Sequence, residues 1–336
     1  MLKKFIVAKN TASKSRIFYL FMLSGQQLKI VFMGSADFSL PILIALQKRF
    51  NVVAVVTEID KPAGRNKEIV APPTKHLAQS LNIPVFQPIS LRKDIKLIEK
   101  IKTLAPDLIV VAAYGKILPE SVLNLPTHGC LNVHPSLLPK YRGASPIQSA
   151  LLAGERVSGV SIILMDAGMD TGDIVAQETL EVDALIDYGG LAERLAQLAA
   201  EMLVKIIPRY VAGDVKLKTQ SDEAASYCQK IEKADGKINW QNPAGQIFNQ
   251  WRAYAGWPGV YAYFKEKKID FVSVALAENK NAGRVPGEVF AEGKKYFVAC
   301  GSGALELKRV KLEGKKEVDC QSFVNGYRDF VGTVLK

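Results

Sequence analysis

Asn132 and His134 stand two residues apart in the stretch Leu131-Asn-Val-His-Pro-Ser-Leu-Leu-Pro139. Alternate residues of a strand share a face, so the two polar side chains project together. A proline ends the strand directly after them, and a strand end is where a rigid scaffold can present reacting groups. An amide is a fixed hydrogen-bond donor and acceptor, and an imidazole exchanges protons near neutrality. The same pair could equally satisfy backbone groups at a strand terminus, and spacing alone does not separate the two readings. A second cluster, Met165-Asp-Ala-Gly-Met-Asp-Thr-Gly-Asp173, follows an apolar run at 159–164. Its glycines permit a tight loop with carboxylates at the rim. If the strands at 130–133 and 159–164 are neighbours, that loop falls beside His134. Asp166, Asp170 and Asp173 are equal candidates on pattern, and the alternating acids of a calcium loop are absent.

Strands and helices must position these residues. Short apolar runs at 28–33, 52–57, 84–86 and 108–113 alternate with helical patterns near 40–46, 74–81 and 93–104. That alternation predicts crossover connections and an α/β domain with a mostly parallel sheet. A helix over 144–152 and a long one over 191–210 follow, the second kinking or stopping at Pro208. Residues 213–229 show no periodicity and read as a linker between domains. After one helix near 243–254, strands at 260–264, 271–275, 296–299 and 305–310 predict a small β-barrel or sandwich. Gly34 lacks the further glycines of a dinucleotide-binding fingerprint, and no phosphate loop, nucleophile elbow or HExxH helix is present.

The chain has 336 residues, 48% of them hydrophobic, and a formal net charge of +11. That length predicts two domains with real cores. Residues 1–27 carry five basic residues and no acid; residues 213–336 carry 20 basic against 15 acidic. A basic second half beside a near-neutral body suggests an anionic macromolecular partner. The patch Phe18–Met22 is too short to span a membrane. Residues 1–27 therefore read as an organellar transit segment, a basic arm or a stretch upstream of a later start at Met22. Four scattered cysteines predict reduced, buried thiols in a cytosolic or organellar setting. With three histidines in the chain, no metal site is expected.

Over residues 28–336 the chain resembles the methionyl-tRNA formyltransferases. The resemblance is carried, in order, by Lys29-Ile-Val-Phe-Met-Gly34, Asp60-Lys-Pro-Ala-Gly-Arg65, Pro84-Val-Phe-Gln-Pro88, Ala113-Tyr-Gly-Lys-Ile-Leu-Pro119 and Asn132-Val-His-Pro-Ser-Leu-Leu-Pro-Lys-Tyr-Arg-Gly143. It continues through Asp166-Ala-Gly-Met-Asp-Thr-Gly-Asp173, Trp257-Pro-Gly259, Ala299-Cys-Gly-Ser-Gly303 and Phe323-Val-Asn-Gly326. Departures are Gly34-Ser-Ala-Asp-Phe38, where the family has Gly-Thr-Pro-Glu-Phe, and Asn66 in place of a glycine.

The resemblance implies a Rossmann-like catalytic domain at 28–212 and an OB-like tRNA-binding barrel at 230–336. It implies 10-formyltetrahydrofolate as formyl donor and initiator Met-tRNA as acceptor, with no metal; an enzyme that must admit a large tRNA has no evident need to dimerise, and a monomer is expected. It selects Asp170 to join Asn132 and His134 as the catalytic three. Asn132 and a protonated His134 would then donate hydrogen bonds to the developing oxyanion. Asp170 would favour that protonation and order a relaying water. The folate is expected along Tyr114, Gly115, Ile117, Leu118, Ser136, Leu137, Leu138, Pro139 and Asp166. The tRNA is expected at Lys61, Arg65 and Lys67, and at Arg252, Lys308, Arg309, Lys311, Lys315 and Lys316. Rival readings are formylation of another amine such as a nucleotide-linked amino sugar, hydrolysis of the folate donor, and a non-catalytic RNA-binding barrel.

Overall fold

A computed structural model describes residues 28–63, 68–280 and 283–336. The segment 1–27 and the loop residues Arg65 and Lys67 lie outside the described residues. The chain divides into two compact units. The first takes residues up to Pro146, Val157–Glu181 and Ala192–Cys228; the second takes Ile147–Arg156, Val182–Leu191 and Gln229–Lys336.

In the first unit, β1 (Lys29–Gly34), β2 (Asn51–Val56), β5 (Val85–Phe86), β6 (Leu108–Ala112), β7 (Cys130–His134), β9 (Val157–Leu164) and β10 (Ile174–Glu181) make one sheet. Its order is β10-β9-β7-β6-β1-β2-β5. The five strands from β7 to β5 run parallel, while β9 and β10 are antiparallel additions at one side. Central strands are buried throughout, β1 apart from Lys29 and β6 entirely, as expected where both faces are covered. One face packs Val31, Met33, Val56, Ile109, Val111 and Cys130 with Leu97 and Ile101.

Helices α1 (Ser39–Arg49), α2 (Pro73–Ser80) and α3 (Ile95–Thr103) fill the crossovers. Asp94 caps α3 by accepting from the Leu97 N–H at 3.0 Å. A single turn, α4 (Glu120–Leu123), precedes β7, and α5 (Pro146–Leu152) precedes β9. A small hairpin of β3 (Lys61–Ala63) and β4 (Glu68–Val70) occupies the stretch expected to be a plain polar loop. The long α6 (Tyr188–Val211) continues past Pro208 for three residues instead of stopping there. Only one intrahelical bond, from the missing proline N–H, is lost near its end.

The expected linker is part of the first unit through Cys228. Its β11 (Tyr227–Cys228) pairs in parallel with β8 (Arg142–Gly143), and Lys218 exchanges both backbone hydrogen bonds with Ile174. Periodicity misses it because the segment is tied down by main-chain pairing and has no buried face of its own.

The second unit holds α7 (Ala244–Ala253) and an antiparallel sheet of β12 (Tyr261–Phe264), β13 (Lys267–Ala277), β16 (Ala304–Leu312), β15 (Lys295–Ala299) and β14 (Val289–Glu292), in that order. Strand β17 (Val318–Asp319) pairs with β16 and leads into α8 (Cys320–Gly326). The sheet curls into an OB-like barrel. Its edges, β12 and β14, are linked by the C-terminal tail. Tyr263 exchanges backbone bonds with Lys336, the Leu335 N–H donates to Gly287, and Val289 donates to Thr333. The tail satisfies groups that an open barrel would leave exposed.

Candidate active site

Asn132 and His134 continue on β7 the row that Cys130 begins, on the face that carries the main core. The neighbouring β9 pairs antiparallel, His134 opposite Ser161 and Leu131 opposite Leu164. Strand β9 therefore leaves the sheet at the start of β7, where Met165 donates its N–H to the Cys130 carbonyl. The loop 165–173 doubles back to return Asp170 to the row. Gly172 makes this fold possible: a Cβ there would sit 1.8 Å from the Leu164 carbonyl oxygen.

The three groups meet. The Asn132 Nδ2 donates to Asp170 Oδ1 at 3.1 Å. Asp170 Oδ2 accepts the Gly143 N–H at 2.9 Å and lies 3.5 Å from His134 Nδ1. His134 Nε2 is 2.9 Å from the Tyr141 carbonyl oxygen. A carbonyl only accepts, so Nε2 carries a proton, and Nδ1 is the nitrogen that faces Asp170. His134 is 4% exposed. Its burial pushes the imidazole pKa below the usual 6.5, although the Asp170 charge and the Tyr141 carbonyl act the other way. Burial and the Asp170 carboxylate therefore act in opposite directions on the ring, and desolvation of the cation is the larger. Ala113, Tyr141 and Asp170, all bordering the site, have left-handed backbones with φ of 47°, 62° and 55°. Such conformations in residues with a Cβ gather where function requires a fixed shape.

The residues expected to hold folate divide sharply. Tyr114 and Leu118 belong to the main core, and Leu138 packs with Ile163 and Ile174. Ser136 is 1% exposed and gives its hydroxyl proton to the Lys140 carbonyl. The side chains of these four are buried, which leaves their backbone groups as the means of reading a ligand edge, apart from the buried Tyr114 hydroxyl, which has no hydrogen-bond partner among the described residues. Gly115, with φ of 81°, is exposed, and Leu137 and Pro139 are half-buried. Ile117 is 89% exposed, so core packing does not explain it. Asp166 is exposed and shapes its own loop by accepting from the Gly168 N–H and the Thr171 hydroxyl.

Arg252 is withdrawn as a phosphate contact. It is 4% exposed, and its guanidinium donates to the carbonyls of Asp183 and Ile186 and to Asn249 Oδ1. Lys61 is exposed and paired with Glu58. Lys308 and Arg309 are exposed but paired with Glu306 and Glu317. Lys315 and Lys316 are exposed and have no acidic partner among the described residues. Lys311 is half-buried on β16.

The profile of the formyl transferase family matches residues 28–207, and that of the formyl transferase C-terminal domain matches residues 230–328. Methionyl-tRNA formyltransferase of Geobacter sulfurreducens is 40% identical over 310 residues, spanning 92% of this chain and 96% of that one. The enzyme of the same name from Caldanaerobacter subterraneus subsp. tengcongensis is 38% identical over 310 residues, with 92% and 100% covered. The chain belongs to the methionyl-tRNA formyltransferase family.

Solved structures share the fold at lower identity. HypX from Aquifex aeolicus in complex with tetrahydrofolic acid superposes with a TM-score of 0.63 at 17% identity, over 91% of this chain and 48% of that one. WlaRD, a sugar 3N-formyl transferase crystallised with dTDP and 5-N-formyl-THF, gives 0.62 at 19% identity, over 87% and 100%. Within the methionyl-tRNA formyltransferase fold, sequence reasoning missed two partners of the centre. The Tyr141 carbonyl fixes the His134 tautomer, and the Gly143 N–H fixes the Asp170 carboxylate. Both act through the backbone, which residue type does not advertise.

Proposed function

We infer that the chain transfers the formyl group of 10-formyltetrahydrofolate to the α-amine of methionine on initiator Met-tRNA, with Asn132, His134 and Asp170 as its centre. The observation that carries this reading is that the loop carboxylate of Asp170 contacts both Asn132 and His134 at the end of a buried strand. Family membership over both units supplies donor and acceptor.

The methionine nitrogen attacks the formyl carbon, and the carbon–oxygen π electrons move onto oxygen. Asn132 spends one N–H on Asp170, leaving the second for that oxyanion. A preorganised donor of this kind is worth about 3–4 kcal/mol. Asp170 is the more open of the two, its side chain 15% exposed against 5% for His134, and it meets the amine. The proton leaving the amine passes by way of Asp170 to His134 Nδ1, and the carboxylate stabilises the imidazolium that forms. Collapse of the intermediate breaks the bond to the folate nitrogen, which takes the proton back. No covalent enzyme intermediate is needed.

In this reading residues 28–212 form the catalytic domain and 230–336 the tRNA-binding domain, acting as a monomer. Lys61, Lys308, Arg309, Lys315 and Lys316 support the tRNA contacts by their exposure, and Arg65 and Lys67 keep their sequence-based assignment. Phosphate contacts of this kind position the nucleic acid and make its binding salt-dependent. Among the described residues no helix is long and apolar enough to cross a membrane.

The test is incubation with labelled 10-formyltetrahydrofolate and, in parallel, initiator Met-tRNA, elongator Met-tRNA, free methionine or a nucleotide-linked amino sugar. Label on initiator Met-tRNA is the expected result. Free formate without acceptor modification, or label on the amino sugar alone, would refute the reading.

A further inference from the structure

We propose that Gln220 is a positioning residue that holds the Asp170 loop in its reactive shape by clasping it to the buried Arg142 guanidinium. The inference rests on the reading of Asp170 as part of the catalytic centre. Gln220 comes from the segment that looks like a linker in sequence, yet its amide is fully engaged. Its Nε2 donates to the carbonyls of Asp170 at 2.8 Å and Gly172 at 2.7 Å. Its Oε1 accepts from Arg142 Nε and Nη2, both at 3.1 Å. The orientation of the amide is fixed chemically, because a guanidinium only donates and a carbonyl only accepts.

Arg142 is 1% exposed, and its remaining nitrogen, Nη1, donates to Asp222 Oδ1 at 2.8 Å and to the Tyr227 hydroxyl at 3.3 Å. The buried fork is thereby fixed in orientation, and through it Gln220 is fixed too. At the other end of the clasp, Asp170 holds a left-handed backbone with φ of 55°. Two donated hydrogen bonds to the loop carbonyls oppose relaxation from that conformation. The loop carboxylate in turn receives the Gly143 N–H. Gly143 adjoins Arg142 on β8, so the clasp closes a ring from guanidinium to amide to loop and back to the same strand.

Glutamate at position 220 separates the two halves of the clasp. It has almost the same shape and keeps a partner for Arg142, with charge assistance. It offers no N–H to Asp170 or Gly172, and sets carboxylate oxygen against carbonyl oxygen. The experiment compares wild type, Gln220→Glu and Gln220→Ala by steady-state formylation, thermal unfolding and amide exchange at Gly143. The Gly143 N–H reports the carboxylate directly.

In Gln220→Glu we expect kcat to fall at least about tenfold, since small displacements of a reacting group cost that much. Both KM values should stay within about twofold, as uniform binding is untouched. The Gly143 N–H should exchange faster, and the thermal midpoint should hold. Gln220→Ala should lose both turnover and thermal stability. Unchanged Gly143 exchange with normal turnover in Gln220→Glu would overturn the clasp. So would a turnover loss that merely tracks a lowered thermal midpoint in that variant. Faster Gly143 exchange in the variant, with no turnover even in wild type, would support the clasp and remove Asp170 from catalysis.

Discussion

At the scale of single residues, His134 is governed by a contest between burial and one neighbouring charge. Taking an imidazolium out of water opposes protonation, Asp170 favours it, and burial is the larger. The sign follows. A folded pKa below the unfolded value adds stability that is complete above the unfolded pKa and is lost as pH falls through the folded one. The ring resonances of His134 should therefore titrate with a midpoint below 6.5. In Asp170→Asn the midpoint should move lower still, because the raising charge is gone. A wild-type midpoint above 6.5 would show that the Asp170 charge outweighs burial, and would refute the proton path to His134. The sequence displayed Asn132 and His134 as a pair because strand periodicity is short and strict. It did not choose among Asp166, Asp170 and Asp173, since that choice depends on how a loop doubles back, and only the resemblance selected one. Nor did it display the buried role of Arg252: a basic residue on a helix reads as solvated until its carbonyl partners are seen.

Among the elements, the parallel strands were legible because burial on both faces makes them continuously apolar. Strand β10 was not. It lies at the sheet edge, half its residues are exposed, and Gln177-Glu-Thr carries no apolar signal. Strand β14 was missed because it is only four residues long and just two of them are buried. The loop between β9 and β10 is the element on which the site depends. Its Gly172 lies against the Leu164 carbonyl, with no room for a Cβ. Gly172→Ala should force the loop outward, at a cost of about 1–3 kcal/mol in stability, the usual range for overpacking. Denaturant unfolding reads that loss, and turnover should fall with it as Asp170 leaves Asn132. Full turnover at unchanged stability would mean that the loop adopts another path, and the geometry of the centre given above would then be wrong.

For the whole molecule, charge distribution and the change from α/β alternation to short strands announced two parts, and the contact units follow that order with exchanged segments. The exchange was illegible because 147–156 and 182–191 carry local patterns that fit either part. The barrel's closing tail was illegible for a different reason: residues 333–336 act through backbone pairing, which side-chain pattern does not encode. Family membership spans both parts, and assigns to the chain one reaction: a folate-borne formyl group moved to the amine of Met-tRNA. The most direct test is a single-turnover measurement of labelled formyl transfer to initiator Met-tRNA by wild type and by Asn132→Ala, at saturating substrate. Wild type should place the label on the methionine amine. Removing the oxyanion donor should slow that step by at least about tenfold, or about 1.4 kcal/mol. An Asn132→Ala rate equal to wild type, or label released only as formate, would contradict the assignment of this centre to formyl transfer.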